Sequence, residues 1–209
     1  SASTFGGAQG SQVGSLAINS LTLRSGGGLV LQPQQSLTIE SGGVLAFSGN
    51  NGITGGLLTT AANRELIVHA LGDLTLGSTL AGFSGGLTKT GDGTLTLGSQ
   101  EFYTGATTIN QGTLKLAGGT SPIFFNQQLF LNGGNLDLNG SALTVSQLIA
   151  QSGALPRNAL FLPNTGGTVI NTAPTQATLG MSTTGVSFIG AIGNANPAQS
   201  GACDLRRHG

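Results

Sequence analysis

The chain is expected to fold as an all-β protein, a right-handed parallel β-helix (β-solenoid) with about three short strands per rung. Three observations point there. Between Gly85 and Gly119 the run GGLTKTGDGTLTLGSQEFYTGATTINQGTLKLAGG sets four short segments between glycine-rich corners: Leu87–Thr90, Thr94–Leu97, Thr107–Asn110 and Thr113–Leu116. Within each, apolar and polar residues alternate, so one face is buried and the other is wet. Such segments recur at near-even spacing along the chain, the pattern of a β-solenoid or a many-stranded sandwich. Composition agrees, with 37 glycines in 209 residues beside 38% hydrophobic residues. That is too apolar and too regularly patterned for a disordered Gly/Ser tract.

Taken in order, the first strands are Leu21–Arg24, Leu29–Gln32, Leu37–Glu40 and Val44–Phe47, seven or eight residues apart. Three strands at that spacing take about 23 residues, one rung of a three-sided solenoid. Their joints are Ser25–Gly28, Gln32–Gln35 and Ser41–Gly43; Pro33 falls in a corner, where a missing N–H costs no ladder bond. Leu57–Thr59, Glu65–Val68, Asp73–Leu76 and Leu80–Phe83 follow, then the four strands already named. The stretch TSPIFFNQQ, with Phe124 and Phe125, reads as a bulge or loop over the solenoid. Strands resume at Leu129–Asn132, Asn135–Leu138, Leu143–Val145, Thr168–Ile170, Ala177–Leu179 and Val186–Ile189. After Gly193 the pattern changes abruptly to NANPAQSGACDLRRHG, so residues 196–209 are expected to be a disordered or non-native tail.

Charged residues make up 7% of the chain, seven acidic and seven basic, without clusters. This gives no electrostatic footprint for DNA or RNA, and nucleic-acid binding is set aside. A low-charge solenoid turns ladders of Thr, Ser, Asn and Gln to water. Because its ends are open sheet edges, self-association through them is expected unless a terminal segment folds over. One cysteine, Cys203, excludes an intramolecular disulfide framework and a Cys-based zinc site. Ser1 opens without a basic start and an apolar run, and no stretch of about 20 apolar residues suggests membrane insertion of this segment.

Two runs carry a family resemblance. Lys89-Thr90-Gly91-Asp92-Gly93-Thr94-Leu95-Thr96-Leu97 follows K-x-G-x-G-T-L-x-L. Tyr103-Thr104-Gly105-Ala106-Thr107-Thr108-Ile109-Asn110-Gln111-Gly112-Thr113-Leu114-Lys115-Leu116 follows Y-x-G-x-T-x-I-N-x-G-T-L-x-L. Both resemble the strand repeat of bacterial autotransporter passenger domains. The words GNLDLNG at 134–140 and GGTVIN at 166–171 are similar to it, and residues 15–60 only in general pattern. The resemblance implies that residues 1–195 are a fragment of a larger secreted protein, extracellular or on the bacterial cell surface. It also implies a membrane barrel elsewhere in that protein, and a body low in cysteine, as suits a passenger that crosses the periplasm unfolded.

Candidate chemistry is sparse. Gly82-Phe83-Ser84-Gly85-Gly86 matches the G-x-S-x-G nucleophile elbow, but an elbow needs a helix after the serine and here a strand follows. Ser84 is therefore expected at a structural corner. Glu65, His69 and Asp73 are spaced E-x3-H-x3-D; on one strand, i and i+4 share a face yet lie about 13 Å apart, too far for a shared metal. They read as a solvated rim, with His69 the one proton shuttle in the body of the chain. Asp92 and Asp137 are the candidates for calcium, but calcium takes six to eight oxygens and each acid stands alone. Asp92 reads as a turn residue, with Gly93 supplying a positive φ. Otherwise no cofactor is expected.

Phe102 and Tyr103 could stack a sugar if exposed, although the resemblance implies a packing role for Tyr103. Asn132, Asn135 and Asn139 are read as a polar ladder serving the corners. A glycosidase would need two carboxylates about 5–10 Å apart in one groove, and Glu65/Asp73 and Asp92/Glu101 are the nearest pairs. The expected function is a structural and interaction module: the stalk of an autotransporter passenger with an adhesion-type role toward a glycan or cell-surface target. The alternative is a hydrolase of esters, lactones or polysaccharide on a β-helix scaffold. A third, a carbohydrate-binding surface without catalysis, would need an exposed aromatic row, against which one Tyr and no Trp argue.

Overall fold

The computed structural model of the chain describes residues 2–4, 14–24, 26–117, 127–150, 167–181, 187–188, 191–194 and 204–207. Among them every regular element is a strand. The chain begins with β1 (Ala2–Thr4), β2 (Ser15–Leu23), β3 (Gly28–Val30), β4 (Ser36–Ala46) and β5 (Asn50–Thr60). It continues with β6 (Leu66–Ala70), β7 (Asp73–Leu80), β8 (Leu87–Thr90), β9 (Thr94–Leu97), β10 (Thr107–Ile109) and β11 (Thr113–Leu116). Next come β12 (Gln128–Leu131), β13 (Asn135–Asp137), β14 (Ala142–Val145), β15 (Gln147–Ala150) and β16 (Thr168–Asn171). The last are β17 (Thr178–Met181), β18 (Ser187–Phe188), β19 (Ala191–Asn194) and β20 (Asp204–Arg207).

All strand pairings are parallel and join one coil to the next, so the chain is a parallel β-solenoid with three faces. The first face stacks β1, β3, the start of β5, the start of β7, β9, β11, β13, β16 and β19. The second stacks the starts of β2 and β4 with the ends of β5 and β7, and further on β14, β17 and β20. The third stacks the ends of β2 and β4 with β6, β8, β10, β12, β15 and β18. Leu16, Leu37 and Leu58 stack, as do Leu74 and Leu95, so a coil takes about 21 residues, close to the 23 expected.

Alternation puts one row of leucines inside. On the first face Leu74, Leu95, Leu114, Leu136 and Val169 stack in register, beside Leu76, Leu97 and Leu116. All are buried and belong to one continuous core. Each buried Leu contributes roughly 1.5–3 kcal/mol, offset by the ordering of its own stretch of chain.

Several expected strands run longer or shift. Leu37–Glu40 and Val44–Phe47 are one bent strand, β4, whose register slips at the bend. Gly42 makes that bend at φ 75, and a Cβ there would meet the Glu65 carbonyl oxygen at 1.9 Å. Asn50–Thr54 and Gln147–Ala150 are strands that the alternation did not single out. Asn50 to Gly52 is polar with a glycine, while Gln147 to Ala150 follows Val145 with only Ser146 between, and no glycine marks the corner. Leu80–Phe83 ends as a strand at Leu80, beyond which only Ala81 bridges to Phe102. Residues 118–126, which hold Phe124 and Phe125, lie outside the described residues, as does most of the tail from 196, Cys203 and His208 included. Within that tail β20 pairs with β17 in parallel.

Candidate functional site

The residues singled out in the sequence are spread around the solenoid. Ser84 is exposed in the corner before β8, and its hydroxyl donates to Asn63 Oδ1 at 2.8 Å. His69 points outward from the third face, in register with Leu45 and Thr90. It borders a shallow groove of about 430 Å³ with Thr22, Leu45 and Ile67. Glu65 sits at the corner before β6 and accepts a short hydrogen bond from Thr88 Oγ1. Asp73 lies around the next corner, on the first face, where Oδ1 accepts from Thr94 N at 2.9 Å. It lines a different, polar hollow of about 410 Å³ with Asn50, Thr96 and Lys115. Glu65 and His69 thus face the third side while Asp73 faces the first.

Asp92 is exposed at the corner before β9, where its carboxylate accepts from the Gln111 amide of the next coil. The positive φ in that turn belongs to Gly91, at 80, and not to Gly93. A Cβ on Gly91 would stand 2.4 Å from the Ala70 carbonyl oxygen, so close approach to the coil below dictates glycine there. Asp137 is 2% exposed and already fully engaged. Its Oδ1 accepts from Asn139 N and Thr172 N, each at 3.0 Å, and its Oδ2 from the Thr172 hydroxyl. Lys115 Nζ stands 3.5 Å from Oδ2, the only ion pair among the described residues. Among those residues no three His, Cys, Asp or Glu side chains gather as a metal site would require.

Asn132, Asn135 and Asn139 do not form a ladder, because consecutive positions of one coil lie side by side and only positions one coil apart stack. Asn132 instead donates to Asn110 of the preceding coil at 2.8 Å. Asn139, in the turn after β13, does serve its corner, donating to Leu116 O of the preceding coil at 2.9 Å, and Asn51 and Asn171 serve others. Asn51 Nδ2 donates to the carbonyls of Phe47, Gly49 and Asp73, while its Oδ1 accepts from Gly27 N. Asn171 caps the turn at 172–175 in the same manner.

The unusual chemistry lies inside the wall, at positions where alternation calls for an apolar residue. In the row Val44, Val68, Lys89, Ile109, Leu131 the third member is a lysine, fully buried. Lys89 Nζ bends into the corner and donates to the Thr90 and Gly91 carbonyls of its own coil and to Gln111 O of the next. Burial pushes its pKa down to about 8, against the opposing pull of Asp92 and Asp73.

On the second face of the same coil no strand forms between Gly98 and Ala106. Glu101 and Tyr103, two residues apart, both turn inward and are completely buried. Glu101 Oε2 accepts the Leu80 N–H at 2.7 Å, and Phe102 N donates to Leu80 O at 2.7 Å. A carboxyl thus takes the place of the backbone carbonyl that a strand would have offered. Burial pushes the Glu101 pKa up to about 9, partly countered by the Leu80 hydrogen bond.

Tyr103 stacks on Phe83, ring centroids 5.4 Å apart at 6°, and its hydroxyl shares a hydrogen bond with Thr107 at 2.6 Å. Gln127 of the next coil reaches down to the Tyr103 carbonyl through a short bond. Burial holds the Tyr103 phenol well above its usual range. The sugar platform of Phe102 and Tyr103 is therefore half absent: Tyr103 is core, as the resemblance implied. Sequence reasoning passed over Lys89 and Glu101 as inward residues, yet the signal was there, because both fall on the apolar parity of their segments.

Residues 87–116 match the family model of the passenger-associated-transport-repeat. With the β-solenoid on either side, this matches a fragment of an autotransporter passenger. The repeat family implies a secreted or cell-surface protein. No curated protein and no solved structure matches the chain. The Lys89 corner, the Glu101–Tyr103 loop and the row Leu95–Leu114 all lie inside the matched segment, while the buried polar groups Asn51, Asp137 and Asn171 lie outside it.

Proposed function

We propose that this chain is part of the β-helical stalk of an autotransporter passenger, associated with the outer membrane and serving an adhesion-type role. The observation that carries the proposal is where the ionisable groups go. The buried ones, Lys89, Glu101 and Asp137, bond to an adjacent coil, while His69, Ser84 and Asp73 stand on separate faces or corners. Acid–base or nucleophilic catalysis needs such groups within hydrogen-bond reach of one reacting atom. A stalk needs rigid coils and an outer surface of uncharged polar ladders, such as Thr75–Thr96 and Thr94–Thr113.

Hydrolysis of a small panel of esters, lactones and pectin-type glycans, with and without EDTA, separates this from the hydrolase alternative. Wild type, His69→Ala and Ser84→Ala are all expected to give flat traces. Beads coated with the chain are expected to be retained by cell or glycan surfaces more than bare beads. Turnover lost in one of the two variants, with no retention of beads, would overturn the stalk.

A further inference from the structure

The Glu101 carboxyl has a task that the stalk alone does not require. It is completely buried, one oxygen holds the Leu80 amide, and the other, Oε1, has no hydrogen-bond partner among the described residues. Among the described residues, the elements packed against it offer no counter-charge. Its own loop contributes Tyr103, whose hydroxyl is engaged with Thr107. The β7 strand below presents the Leu80 amide, and the coil above presents Gln127, which bonds the Tyr103 carbonyl. Residues 118–126, outside the described set, contain no ionisable side chain. An ionised carboxylate in such a place is costly unless it is paired, whereas a neutral carboxyl keeps the Leu80 bond and avoids the charge.

We propose that Glu101 is a proton-operated latch on the second face of the solenoid: protonated, it holds the 98–106 loop against β7, and losing the proton releases that loop. The release is local. The first and third faces of the same coil keep their ladders, β7 to β9 and β9 to β11 on one side and β8 to β10 on the other. What opens is the Leu80 edge and the Phe83–Tyr103 stack. The latch would make this stretch of wall tight in acidic and neutral surroundings and loose in alkaline ones.

The chain carries its own reporter, since Tyr103 is the only tyrosine and there is no tryptophan. Tyrosine fluorescence and near-UV circular dichroism of the wild type should change between pH 7 and pH 10, with a midpoint near 9. Glu101→Gln, which keeps the shape of the neutral acid and cannot ionise, should be flat over that range. Amide exchange in the wild type supplies a readout independent of the variant. Corrected for intrinsic rates, Leu80 should lose at least about tenfold protection from pH 7 to pH 10 relative to Leu95, the size of a one-unit proton linkage. A wild type flat in both readouts, or the same transition in Glu101→Gln, would overturn the latch.

Discussion

Within a single coil the first and second faces are held by different means. From β7 to β16 the first face repeats the same device: an inward Leu or Val, an outward polar residue, and a backbone ladder on both sides. The second face at 98–106 has no strand, and Glu101, Tyr103 and Gln127 do by side chain what carbonyls and amides do elsewhere. The difference is one of redundancy. A ladder spreads its strength over many equivalent bonds, each worth about 0.5–1.5 kcal/mol net. The irregular face concentrates it in a few groups that cannot stand in for one another.

Substitutions can break that comparison, and the largest effect is expected at Tyr103. Tyr103→Ala removes the stacked ring and orphans Thr107, and should cost about 3–5 kcal/mol by urea denaturation, enough to loosen the second face on its own. Leu114→Ala on the first face leaves a cavity worth about 2–5 kcal/mol, but the coil should stay in register because its ladder is intact. Lys89→Met keeps the volume while leaving three corner carbonyls without their donor. A loss of about 1–3 kcal/mol is expected, smaller if water enters the corner. Thr96→Val, on the outer row, should change stability by no more than about 0.5 kcal/mol.

The two buried ionisable groups predict opposite pH trends, which sharpens the contrast between corner and loop. Glu101 has a folded pKa raised from 4.5 to about 9, so the folded state binds the proton more tightly. Its contribution is complete below the unfolded value and is lost as pH rises through that window. Lys89 has a folded pKa lowered from 10.5 to about 8, so the folded state binds its proton less tightly. Stability linked to Lys89 therefore rises between pH 8 and 10.5. Denaturation midpoints should fall from pH 5 toward pH 8, with the fall blunted above 8 in wild type and absent in Glu101→Gln.

Most of the architecture was legible because alternation and glycine corners are local signals. Leu87–Thr90, Thr94–Leu97 and Thr113–Leu116 are strands with the expected bounds. Strands without alternating chemistry were harder to see, as at Asn50–Thr54, where pairing with β3 and β7 supplies what the side chains do not announce. The positive φ of the Asp92 turn falls at Gly91, two residues before the expected Gly93, and the local sequence does not distinguish them because both glycines lie against backbone oxygens of the coil below. The buried lysine and glutamate were legible by parity alone. Their partners were not, because Gln111 and Leu80 approach only through the stacking of coils about 21 residues apart.

That stacking register can be tested directly by cross-linking. Thr75 and Thr96 are opposed on neighbouring strands, both pointing outward, while Thr94 lies two residues before Thr96 along β9. Opposed residues on adjacent strands lie about 4.8 Å apart, inside the range a disulfide can bridge. With Cys203 replaced by Ser, the double variant Thr75→Cys/Thr96→Cys should oxidise to one intramolecular disulfide with no loss of stability. Thr75→Cys/Thr94→Cys should keep two free thiols under the same conditions. Closure of the offset pair, or failure of the matched one, would contradict the stacked-coil register on which the stalk, the Lys89 corner and the Glu101 latch all depend.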